Sequence, residues 1–124
     1  WMPFAPSIMA ERTNDYLYNP PNHESPYMMF AFKGKLLAEK DLVATMHPYD
    51  STMRPQIVKK QHNKRYYAVL KSYEKETGMG GILNTSFNLH GYPIVCSPKD
   101  ALEVFLNSDL QHLAIENYYI TKNN

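Results

Sequence analysis

"LNTSFNLHGYPI", residues 83–94, ends an apolar run in a cluster of small polar side chains, and the point where that run stops organises the chain around it. GGIL (80–83) with Asn84 reads as a buried strand, after which Gly91 and Pro93 turn the chain. Upstream stands the clearest helix, Lys64 to Thr77. Tyr66, Val69, Leu70 and Tyr73 form its apolar stripe at helical spacing, and Gly78 stops it. Downstream, SPKDALEVFLNS (97–108) carries Ser97 as an N-cap, Pro98 at the first helical position and Asp100 in capping-box register. Ala101, Leu102, Phe105 and Leu106 are its expected inner face. HLAIENYYI (112–120) reads as a final strand.

Toward the N-terminus, Ser7 after Pro6 is a candidate N-cap, and a helix is expected over about 7–17 with Met9, Thr13, Tyr16 and Leu17 on one face. YNPPNHESP (18–26), with three prolines, is a loop. Strands are expected at YMMFAF (27–32), LVATMH (42–47) and RPQIV (54–58), with Pro55 near the start of the last. The alternation of strands with helices predicts an α/β fold: a mixed, partly parallel sheet flanked by helices.

With 124 residues the chain reads as one domain, and 44% apolar against 20% charged residues favours a packed core over disorder. A formal net charge of +1 argues against a surface built for nucleic acid or anionic lipid, and no apolar run is long enough to span a membrane. The single cysteine, Cys96, fits a reducing, cytoplasmic setting. A start at Trp1 rather than Met, within a dense WMPFAP, reads as a piece of a longer protein.

Asn84, Ser86 and Asn88 alternate past the strand end. If that tail stays extended their side chains share one side, a row able to hold a phosphate, carbonyl or ribose. The same residues suit an Asx or Ser turn that merely ends a strand. Arg54 follows an Asp-Ser-Thr turn. Its guanidinium either grips phosphate bidentately or pairs with Asp50. His47 and Asp50 are a weakly signalled acid/base pair. The histidines show no metal-ligand spacing, and the basic KKQHNKR (59–65) reads as a solvated face.

Four blocks together resemble the C-terminal region of the carbamoyltransferase family, which includes nodulation-factor and antibiotic O-carbamoyltransferases. These are MPFAPSIMAER (2–12), STMRPQIV (51–58), YYAVLKSYEKETG (66–78) and LNTSFNLHGYPIVCSPKDALEVFLNSDLQHLAIENYYI (83–120). The resemblance implies that residues 1–124 are a YrdC-like domain, itself incomplete. Its partner would be an N-terminal actin-like ATPase-fold domain of the same protein that transfers the carbamoyl group to an acceptor hydroxyl. The YrdC-like part would form carbamoyl-adenylate from carbamoyl phosphate and ATP with Mg2+, and this segment would build no metal site of its own.

Ser86-Phe87-Asn88 matches the Ser-x-Asn that ends the YrdC-type signature. By that likeness Asn84, Ser86 and Asn88 hydrogen-bond the nucleotide or carbamoyl phosphate, Arg54 binds phosphate oxygens, and Arg54 and Ser86 carry the catalytic role. Met2 stands where the family has an arginine, and a basic Lys-x-Arg element would lie upstream. The isolated segment is therefore expected to bind nucleotide weakly and not to turn over. A non-catalytic docking module is the alternative.

Overall fold

A computed structural model describes residues 3–19 and 22–122, in two compact units that meet between Thr85 and Ser86. The mixed, partly parallel α/β arrangement is present in the first. β1 (Ala5–Met9) is the middle strand of a sheet ordered β5-β1-β6, parallel to β5 (Gln56–Val58) and antiparallel to β6 (Gly81–Asn84). A second sheet runs β2 (Leu17–Tyr18), β3 (Phe32–Gly34), β4 (Thr52–Met53), all antiparallel.

The helix expected over 7–17 is instead β1, a 3-10 turn at Ala10–Arg12, the one-turn α1 (Thr13–Tyr16) and the start of β2. The reason is burial on both faces. Ile8 packs with Tyr16, Leu17, Phe32, Ala38, Leu42, Met46 and Met53, whereas its neighbour Met9 packs with Val58 and Leu70 on the opposite side. A central strand covered on both sides shows no alternation, so its continuous apolar run carried no period-two signal. Ser7, the presumed cap, is fully buried in mid-strand.

Two other strands also shift. Residues 26–27 are a turn and 28–31 bent, irregular backbone with Met28 at φ 58°, and the strand starts only at Phe32. Leu36–Asp41 is an unanticipated helix, α2, and Val43–Thr45 a 3-10 turn where 42–47 was read as a strand.

α3 (Lys64–Thr77) matches its expected limits. Asn63 accepts from the Tyr66 N–H at 3.0 Å, and Gly78 closes the helix at φ 77°, a conformation that favours glycine. Its inward side is Leu70 with Tyr66 and Tyr67, while Val69 and Tyr73 lie partly outside.

One side chain ties α1, α2 and the approach to β6 together. The buried Tyr16 hydroxyl donates to Asp41 and accepts from the Gly80 N–H, each at 2.9 Å. Gly80 can come so close because a Cβ there would lie 2.6 Å from Cγ of Arg12, whose guanidinium pairs with Asp15 and Glu74.

In the second unit, α4 (Pro98–Leu106) begins with the expected capping box. Ser97 Oγ accepts from Asp100 N at 3.2 Å, and Asp100 accepts from Ser97 N at 3.0 Å. Ala101 and Phe105 are buried; Leu102 and Leu106, expected beside them, are exposed. The final strand is a hairpin, β7 (His112–Ile115) and β8 (Tyr118–Thr121), turned at Glu116 with φ 51°.

Two stability outcomes follow. Tyr16→Phe should cost about 1–3 kcal/mol in denaturant unfolding, because the Gly80 N–H loses its acceptor. An unchanged midpoint would mean that water replaces the hydroxyl. Hydrogen bonds from Ser97 and Cys96 hold the Asp100 carboxyl below the usual range. Its stabilisation is thus complete above ordinary carboxylate pKa values and disappears as pH falls through the folded value. Acid unfolding followed at α4 should be steeper in the unaltered protein than in Asp100→Asn.

Candidate functional site

The four residues singled out in the sequence fall into three local groups. Asn84 ends β6 opposite Ala5, and Ser7 lies opposite Gln56. Ala5 and Ser7 are two apart on β1, so Asn84, Ser7 and Gln56 share one face of the sheet. The Asn84 amide donates to Ser7 Oγ at 3.0 Å and to Gln56 Oε1 at 3.1 Å, and Ser7 Oγ donates to Gln56 Oε1 at 2.9 Å. Both amide protons of Asn84 are therefore committed across the sheet, leaving its carbonyl oxygen as the group it can offer a ligand.

The extended row of side chains stops at Asn84. In the second unit Ser86 donates to Asn88 Oδ1, and the Asn88 amide donates to the carbonyls of Leu89 at 3.1 Å and Tyr92 at 2.8 Å. Val95 N donates to Phe87 O at 3.0 Å, so Ser86-Phe87-Asn88 forms the base of a closed loop. Asn88 uses its donors and its oxygen internally. Ser86 keeps lone pairs as an acceptor.

Arg54 stands apart from that bonding. It is exposed, and among the described residues it makes no hydrogen bond or ion pair. It lines a cavity of about 400 Å³ with Phe4, Ala31, Thr45, His47 and Thr52. The pairing with Asp50 that spacing allowed does not form. Asp50 Oδ1 instead accepts from Thr52 N at 2.9 Å and Thr52 Oγ1 at 2.7 Å, and lies 3.2 Å from His47 Nδ1. Those two Thr52 bonds, with the neighbouring imidazole, draw the Asp50 pKa down. An exposed guanidinium lining a cavity, with the carboxylate four residues before it engaged by Thr52, is a competent anion ligand.

Sequence reasoning missed Ser7 and Gln56. The sign available was Gln56, two residues beyond Arg54 on an extended run and so on the same side of it. A cavity of about 600 Å³ lies elsewhere, in the second unit between Tyr92, Ile94, Val95 and Val104. Cys96 borders it, but its Sγ donates to Asp100 at 3.4 Å and that carboxylate raises the thiol pKa, so it is no ready nucleophile. Among the described residues no three His, Cys, Asp or Glu side chains gather into a metal site, and Met2 lies outside those residues.

Loss of Asn84 and loss of Ser86 should separate in equilibrium unfolding. Asn84→Ala removes two bonds binding β6 to its neighbours and is expected to cost about 1–3 kcal/mol. Ser86→Ala, at an exposed position, should stay within about 0.5 kcal/mol. Equal effects would show that the cross-sheet bonds are replaceable by water.

The family model described as the carbamoyltransferase C-terminus matches residues 1–122. An uncharacterised protein of Methanocaldococcus jannaschii is 44% identical over 122 residues, covering 98% of this chain and 23% of that protein. Nodulation protein NolNO of Sinorhizobium fredii is 36% identical, covering 98% of this chain and 18% of its own length. Nodulation protein NolO of Bradyrhizobium diazoefficiens is 33% identical, covering 98% and 22%. The chain thus spans about a fifth of the length of the curated relatives it matches.

Proposed function

This chain belongs to the carbamoyltransferase C-terminus family, and from that premise we propose that it supplies the phosphate-gripping part of an O-carbamoyltransferase site that forms carbamoyl-adenylate from carbamoyl phosphate and ATP. The observation that carries the reading is Arg54, a guanidinium with no partner among the described residues, at a cavity whose other described polar lining is His47, Thr45 and Thr52. In this reaction carbamoyl phosphate is hydrolysed to carbamate and inorganic phosphate. The carbamate oxygen then attacks the α-phosphorus of ATP and displaces pyrophosphate, so anionic reactants must be brought together. A fixed cation offsets their repulsion without rearranging during the reaction, the term that usually dominates phosphoryl-group chemistry.

In this reading the other residues take distinct parts. Asn84 and Ser86 offer acceptors, suited to a ribose hydroxyl or the carbamoyl NH2 rather than to phosphate oxygen. Asn88 serves by holding the loop that carries Ser86. Mg2+ would arrive on the ATP phosphates and offset their charge there. Transfer to the acceptor hydroxyl, and the actin-like domain that would perform it, belong to the longer protein.

A docking role is the second reading. Tyr27, Met29, Phe30 and Tyr49 of the first unit are 80%, 76%, 52% and 92% exposed, large apolar side chains of the kind a partner would cover.

In the full-length protein, Arg54→Ala should lower carbamoyl-phosphate-dependent release of pyrophosphate from ATP by about 10²–10³-fold, with thermal stability within about 1 kcal/mol of the parent. Ser86→Ala should lower the same rate without unfolding the loop. Wild-type turnover by Arg54→Ala would leave the docking role as the better account.

A further inference from the structure

We propose that the groove between α4 and residues 92–96 docks an apolar segment carrying a lysine or arginine, supplied by the part of the longer protein outside these residues, with Glu103 as its ionic anchor. This rests on the reading of the chain as one part of a longer transferase. The second unit is short of core. It runs from Ser86 onward, roughly forty residues, the size below which a domain ordinarily needs a disulfide, a metal or a partner. Cys96 is the one cysteine of the chain, and no metal cluster forms among the described residues. The buried apolar side chains of the unit, among those described, are Ala101, Phe105 and Leu113, while Tyr92, Ile94 and Leu106 are 68%, 65% and 67% exposed. A two-stranded hairpin such as β7–β8 adds little stability of its own.

The groove, about 600 Å³, has α4 as one wall and residues 92–96 as the other. Both walls are tied. Val95 N donates to Phe87 O at 3.0 Å, and Cys96 N donates to Asp100 Oδ2 at 3.2 Å, which fastens the extended segment to the helix. Leu89, Ile94, Val95 and Val104 make the surface apolar, and the charge comes from the helix. Asp100 and Glu103 stand one turn apart on it, and the described lining residues include no lysine or arginine. Asp100 Oδ2 also accepts from Ser97 N at 3.0 Å, so Glu103 is the acid that nothing inside the groove answers. Lys99, outside the lining, comes only within 3.9 Å of it and is 83% exposed, a weak surface pair.

Apolar walls call for an apolar occupant, and Glu103 decides what else the occupant carries. Covering the groove takes that carboxylate out of water, at a cost that an opposing cation offsets. A second copy of the same groove, face to face with the first, would set acid against acid. The relatives indicate the source. This chain spans 23%, 18% and 22% of three of them, so most of such a protein lies outside these residues.

In purified full-length protein, a photoreactive benzophenone side chain in place of Ile94 should couple, on irradiation, to a peptide of the same molecule from outside residues 1–124. Glu103→Lys should cut that yield about fivefold or more, the effect of turning an attraction into a repulsion. Reversing the charge of the lysine or arginine found in the coupled peptide should restore it. Mixing isotopically light and heavy protein separates coupling within a molecule from coupling between copies. Coupling between copies, coupling to residues 1–85, or a yield indifferent to Glu103→Lys overturns the inference.

The unaltered protein supplies a second measurement, which stands even if the substituted proteins fail to fold. Ile94 N donates no hydrogen bond among the described residues. Under a docked segment its amide should exchange with solvent at least tenfold more slowly than an unprotected amide. Exchange at the unprotected rate overturns the inference. None of these outcomes bears on Arg54, which the pyrophosphate assay tests separately.

Discussion

The hydroxyl of Tyr16 is the constraint on which the first unit turns. It is one polar atom inside an apolar cluster, and it meets a carboxylate from the end of α2 and an amide from the glycine before β6. Burial and the Asp41 carboxylate both push its pKa up, while the bond from Gly80 works against them, so it remains a neutral donor at physiological pH. A buried donor or acceptor without a partner costs more than a bond gains, so the three segments can pack around Tyr16 in few arrangements. That fixes where the Gly80 turn enters β6, and hence the register in which Ser7 meets Ile82 and Asn84 meets Ala5.

Register in turn decides what the strand end can do. On the face of the sheet that carries Ser7, the side chains pass from apolar to polar along the strands. Met9, Val58 and Ile82 lie against α3, and Ser7, Gln56 and Asn84 continue the same rows beyond them. The polar trio satisfies itself: Gln56 Oε1 accepts twice, and its amide donates to Pro26 O at 3.2 Å. A row that looks like a ligand cradle in sequence is, in its donors, a seam joining three strands. What it leaves for a ligand is oxygen.

Elements specified by their own residues were legible. α3 carries its cap, its stripe and its stop within sixteen positions, and α4 its serine, proline and aspartate within four. Elements specified by distant partners were not. Residues 5–9 form a strand because 56–58 and 81–84 lie on either side of them, and a serine after a proline looks like a helix start until its hydroxyl is found bonded to Gln56. The hairpin at 112–121 read as one strand because Glu116, with no glycine to announce it, takes the positive φ of the turn. In the site, Arg54 was recognisable from its chemistry. Its freedom from Asp50 was not, since that depends on how one turn is closed.

That turn shows how a cation is kept available beside an acid. Asp50 and Arg54 are four residues apart, close enough for an ion pair, and such pairs at a surface contribute little stability. Asp50 is instead engaged by the Thr52 amide and hydroxyl, both stronger as hydrogen bonds to a charged group than to a neutral one. The threonine thus competes with the arginine for the carboxylate and wins by proximity, two residues against four. Without the Thr52 hydroxyl the carboxylate would keep one amide bond and gain freedom to turn toward the guanidinium, neutralising it. The charge at the cavity therefore depends on a neutral side chain that lies between the two ions in sequence and holds the acid where it cannot reach.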